Sequence, residues 1–73
     1  MRMKDYERAI DAWQRVIAMT AQIWGAQHLK TVAAHYELGN CHFKNQQPKL
    51  ALVHFVRAFE IAYQHYPDMN APL

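Results

Sequence analysis

From Met3 the large apolar residues fall at Met3, Tyr6, Ile10, Trp13, Ile17 and, past Thr20, Trp24, in alternating steps of three and four. That spacing lines one face of a helix, while Lys4, Glu7, Arg8, Asp11, Gln14, Arg15 and Gln22 occupy the other. A first helix is predicted over about residues 3–24. Gly25 is its C-terminal stop, since glycine enters the left-handed region without steric penalty. A second periodic stretch sets Leu29, Val32, Ala33, Tyr36 and Phe43 on one side and Lys30, Glu37 and Lys44 elsewhere, predicting a helix over about 28–45 whose start lacks a good N-cap. Asn45-Gln46-Gln47 is a short polar connector. Pro48 is suited to the first turn of a third helix, over about 48–66, which Pro67 ends by pushing its predecessor out of the α region. Met69 to Leu73 reads as a frayed tail.

The third segment is unusual. Leu50, Ala51, Leu52, Val53, Phe55, Val56, Ala58, Phe59, Ile61, Ala62, Tyr63 and Tyr66 leave it scarcely any polar face, and a helix apolar on most sides must be covered on most sides. Two sister helices would cover about two-thirds of it. The rest is expected to meet a second copy or another chain segment, because such a surface left wet is a binding site or an aggregation liability.

An offset of 42 residues brings the first helix onto the third: Ala9 falls on Ala51, Ile10 on Leu52, Trp13 on Phe55, Arg15 on Arg57, Ile17 on Phe59, Gln22 on Gln64 and Trp24 on Tyr66. The order of small, aromatic and aliphatic residues repeats more faithfully than the identities do, as stacked helical repeats require.

In these residues the chain resembles the tetratricopeptide repeat, and more closely its long variant of about 42 residues found in kinesin-light-chain-like proteins. Leu38-Gly39 matches the family's Leu-Gly pair, Ala51 and Ala58 its two helix-B alanines, and Phe55 its aromatic. Tyr6-Glu7-Arg8-Ala9 looks like the Tyr-x-x-Ala of a preceding helix B, with Trp13 in the aromatic position. The link from Trp24 to Thr31 resembles the long variant's Leu-Gly-x-x-His-Pro-x-Thr connector. Gly39 and Ala51 would let two helices approach closely, and Phe55 would fill the space their small side chains leave. The chain departs from the pattern at His35 (Trp in the family), His42 (Tyr), Gln46 (the hairpin glycine) and Pro48 (Tyr).

The resemblance implies an all-α, right-handed stack of antiparallel helical hairpins. Residues 1–25 would supply helix B of a preceding repeat, 26–67 one full repeat and 68–73 a tail. It also implies that helix-A positions Ala33, Tyr36, Asn40, Phe43 and Lys44 face a groove for an extended peptide, where Asn40 can bond a peptide backbone and Lys44 a carboxylate. The competing reading makes Tyr36 and Phe43 core residues and Lys44 a solvated charge. An unrelated three-helix bundle is the alternative architecture.

Composition narrows the picture. At 73 residues there is room for one small domain, which buries only about 60% of its unfolded surface and so needs a staple or a partner. Cys41 is the single cysteine, excluding an internal disulfide and favouring a reducing, cytoplasmic setting. Eight Lys+Arg against six Asp+Glu give +2 with no basic block, so nucleic acid is not implied. No apolar run is long enough to span a bilayer, and the start is unlike a signal peptide.

The five histidines lack the three- or four-residue spacing of helical metal ligands. His28, His35 and His42 are seven apart, about 10.5 Å per step along a helix. No metal or cofactor is called for. His35 and His42 are expected to pack in place of the family's aromatics, and His54 and His65 to be partly exposed. Cys41 is expected to be a buried, inert thiol, since His42 beside it points about 100° away around a helix. No phosphate loop or Ser-centred motif appears, so the chain is read as no enzyme.

The reading is a protein-interaction module, a scaffold or adaptor. It is a homo-oligomer or part of a longer array, because about three repeats are needed for a stable one. Its self-association is assigned to Leu52, Val56, Phe59 and Tyr63 on the third helix, with Trp13 of the first. The alternative is a small three-helix regulatory or nucleic-acid-binding protein.

Overall fold

The computed structural model describes residues 3–66, with side chains from residue 5 onward. Three helices follow in order: α1 Met3–Trp24, α2 Lys30–Lys44 and α3 Pro48–His65, with no strand among the described residues. The chain is all-α, as the periodicity predicts. Pro67 and the expected tail lie outside the described residues.

Each boundary has a local cause. Gly25 closes α1 at φ 98°, its N–H bonded to the Ala21 carbonyl at 2.9 Å, which satisfies one of the last-turn acceptors. α2 begins at Lys30, two residues later than the periodicity suggests, because the connector is consumed by tight turns: Thr31 N–H bonds the His28 carbonyl and Val32 N–H the Leu29 carbonyl. Leu29 at the N-cap offers no side-chain bond, and His28 compensates by accepting the Lys30 N–H on Nδ1 at 3.1 Å. The fully buried Thr31 hydroxyl donates to the carbonyls of His28 (2.7 Å) and Ala26 (3.3 Å), tying the connector to the first turn of α2. Pro48 opens α3 in its first turn, where no N–H is required. The hairpin turn places Gln46 at φ 61°, the position where the family pattern has glycine.

α1 packs on α2 and α2 packs on α3, while α1 and α3 do not meet. The result is a slab of 42 × 31 × 15 Å, little thicker than one helix. Sequence reasoning gave α3 two sister helices as cover; it has one. Of the predicted face of α1, Tyr6, Ile10, Trp13 and Ile17 are half-buried, with Thr20 beside them, on the helix that packs against α2, whereas Trp24 at its C-terminal end is exposed.

The core lies along the α2–α3 contact, where Ala34, Leu38, Ala51, Ala58 and Ile61 are buried. Small residues set the separation of the two helices. A Cβ built on Gly39 would lie 2.7 Å from Phe55 Cε1 and 3.1 Å from the Ala51 carbonyl oxygen, so glycine is required there for close approach rather than for its dihedral freedom.

Candidate interaction surfaces

Burying Ala51, Ala58 and Ile61 against α2 turns the opposite side of α3 outward. Leu52 (62% exposed), Val56 (46%), Phe59 (56%) and Tyr63 (44%) recur at steps of four and three along it. Val53 and Tyr66, not assigned to any surface from the sequence, are exposed beside them. Phe59 and Tyr63 stack with ring centroids 6.1 Å apart, which stiffens the stripe. Arg57 and Glu60 border it, lining a groove with Leu52, Val53 and Val56. Among the described residues the one ion pair is Asp11–Arg15 at 3.2 Å, so both of these charges reach the surface unneutralised. Trp13 is separate from this stripe, since it is half-buried in α1, which does not touch α3.

On α2, Ala33, Tyr36, Phe43 and Lys44 are exposed and Asn40 is half-buried. Tyr36 and Phe43 are therefore not core residues. Tyr36 packs on Phe55 with ring centroids 5.5 Å apart and, with Val32, borders a groove that Ala58, Phe59 and Ala62 continue onto α3. This brings Tyr36 together with Phe59 of the α3 stripe. Asn40, Phe43 and Lys44 stand further along α2 and do not line the groove.

The histidines are organised in a way the sequence did not reveal. His54 of α3 lies between His35 and His42 of α2, with ring centroids 5.6 Å and 5.3 Å away and planes inclined by only 20° and 5°. His35 and His54 approach with their Nδ1 atoms 3.4 Å apart. His42, buried, donates from Nδ1 to Gln47 Oε1 at 2.9 Å, and Asn45 Nδ2 donates to the same oxygen at 3.2 Å; the Asn45 Oδ1 atom is buried without a partner. Burial, then the neighbouring His54 and Arg57, holds the His35 pKa below the usual histidine range, and burial followed by His42 does the same for His54. His42 thus packs as expected in the aromatic position, and His54 is half-buried in the row. At the other end of the hairpin the exposed His65 donates from Nε2 to the Gln27 carbonyl at 2.8 Å, clipping α3 to the α1–α2 connector. His28 stands between Trp24 and His65, and the Lys30 ammonium lies 4.9 Å over the Trp24 ring.

Cys41 is half-buried rather than buried. Burial, followed by Glu37, pushes the Cys41 thiol pKa up against the opposing pull of Lys44, which suppresses the thiolate that a nucleophile needs. Among the described residues no three His, Cys, Asp or Glu side chains group as metal ligands, and no helix is long and apolar enough to cross a membrane.

A one-helix-thick row of antiparallel helices, small residues at the hairpin contact and an uncovered final helix define a helical-repeat module. A family model for the tetratricopeptide repeat matches residues 1–64, and the chain belongs to that family. No curated protein and no solved structure matches it.

Proposed function

We propose that this chain is a non-catalytic protein-interaction module that associates with a second copy of itself through the outer face of α3. The family supports binding of protein partners in general. The observation that carries the finer reading is that α3, the most apolar helix, has a single neighbour and leaves Leu52, Val56, Phe59 and Tyr63 between 44% and 62% exposed. A contiguous apolar stripe of this kind is a docking surface. The short chain supplies the motive, since its own core is small and association adds apolar burial.

In this reading residues 1–25 are helix B of one repeat and 26–67 a full repeat, and association completes a stack that one and a half repeats leave open. The exposed face of α2 is a second surface, on which Tyr36, Asn40, Phe43 and Lys44 meet an extended peptide segment. The single free cysteine suits a reducing, cytoplasmic setting.

Phe59→Asp tests the reading. Phe59 is exposed, so the variant keeps the helical circular dichroism of the wild type while its apparent mass on size-exclusion chromatography drops to that of a single chain. Equal elution of the two proteins would refute it.

A further inference from the structure

We infer that His35 and His54 form a two-histidine zinc site that staples α2 to α3. The site is independent of self-association.

The two rings come from different helices, so the spacing of three or four that one helix needs for two metal-binding histidines does not apply to them. Their Nδ1 atoms face one another 3.4 Å apart. An ordinary N–H hydrogen bond spans about 2.7–3.2 Å, so this contact is a weak one. It matches the separation of two nitrogens on one tetrahedral zinc ion, since bonds of about 2.0–2.1 Å at the tetrahedral angle set them about 3.3–3.4 Å apart. Neighbouring positions of a square plane or an octahedron would bring nitrogens at that bond length to about 2.9 Å. The spacing therefore favours a tetrahedral ion. A small rotation of each ring lets the ion sit to one side of the line between the two nitrogens.

Both histidines line the groove beside the α3 stripe, from which water can fill the remaining coordination positions. Among the described residues no third His, Cys, Asp or Glu groups with them, so the site is one of moderate affinity. His42 Nδ1 is committed to Gln47 Oε1; its ring lies parallel to His54 at 5.3 Å and holds that ligand in place. Burial keeps the pKa of both ligands below the usual histidine range, which leaves them neutral and able to bind a cation at neutral pH. Arg57 opposes the cation, but it is exposed and solvent screens it. The benefit is a staple. A 73-residue chain with a single cysteine has no internal disulfide, and an ion held only when α2 and α3 are paired adds its binding free energy to folding.

The test is a titration of the intact chain with zinc chloride at neutral pH, read by calorimetry and by thermal melting. One zinc should bind per chain, and the melting temperature should climb with zinc concentration and return when a chelator is added. His35→Gln and His54→Gln should each weaken zinc binding by about tenfold or more and abolish the climb. His65→Gln, at the far end of the hairpin, should change neither. Should a variant at His35 or His54 unfold, the wild type decides: in nitrogen NMR, zinc should move the Nδ1 resonances of His35 and His54 and leave those of His28 and His65. Absence of saturable binding overturns the site, as do shifts confined to His28 and His65. A full zinc response in folded His35→Gln and His54→Gln, or an equal loss in His65→Gln, also overturns it and marks an adventitious ion only.

Discussion

His35 on α2 and His54 on α3 face one another with Nδ1 atoms 3.4 Å apart, and His42 stacks on the other side of His54. At least one of the facing nitrogens must accept, so the contact requires a neutral ring; protonating both sets N–H against N–H. Both pKa values lie below the unfolded reference of about 6.5. The unfolded chain therefore binds more protons than the folded chain as pH falls below that reference. The stability these groups allow is fully present above about pH 6.5 and is lost as pH falls toward their folded values. Melting temperature should fall between pH 7 and pH 5, and His54→Gln should flatten that slope. An equal slope in the variant would show that the histidine row is not its source.

Gly39→Ala should destabilise the hairpin although alanine is the better helix former by about 1 kcal/mol. The new methyl would sit 2.7 Å from a Phe55 ring carbon and 3.1 Å from the Ala51 carbonyl, and overpacking of this kind costs about 1–3 kcal/mol. The urea midpoint should drop. In a Phe55→Leu background the same substitution should cost much less, which distinguishes a clash with the ring from a backbone effect.

Gln46→Gly should act in the opposite direction. Gln46 is exposed and held at φ 61°, a conformation that costs an ordinary L-residue about 1 kcal/mol or more and glycine little. Stability in urea should rise by roughly 1 kcal/mol, while Gln46→Ala should leave it near the wild-type value.

These substitutions also mark what was legible in the sequence. The faces of α1 and the breaks at Gly25 and Pro48 follow from periodicity and from backbone restrictions that act locally. The close contact at Gly39, Ala51 and Phe55 was readable because the repeat motif pairs those positions across the hairpin. The start of α2 was misplaced by two residues because Thr31 spends its hydroxyl on connector carbonyls, a contact periodicity does not record. The histidine row was missed because His54 is 19 residues from His35 and 12 from His42, and only the α2–α3 register makes them neighbours. That register was available from Gly39 and Phe55, which place His54 level with the turn between His35 and His42. The sequence showed too much apolar surface on α3 but overstated its cover, since which helices touch is a property of the stack and not of any one segment.

The central claim is that the outer face of α3 is covered by a second copy of the chain. Sedimentation equilibrium over a wide concentration series, at neutral pH and low salt, tests it most directly. The weight-average mass should climb from the single-chain value of 8.6 kDa toward twice that value as concentration rises. A fully helical protein that remains at the single-chain mass across the whole series would contradict it.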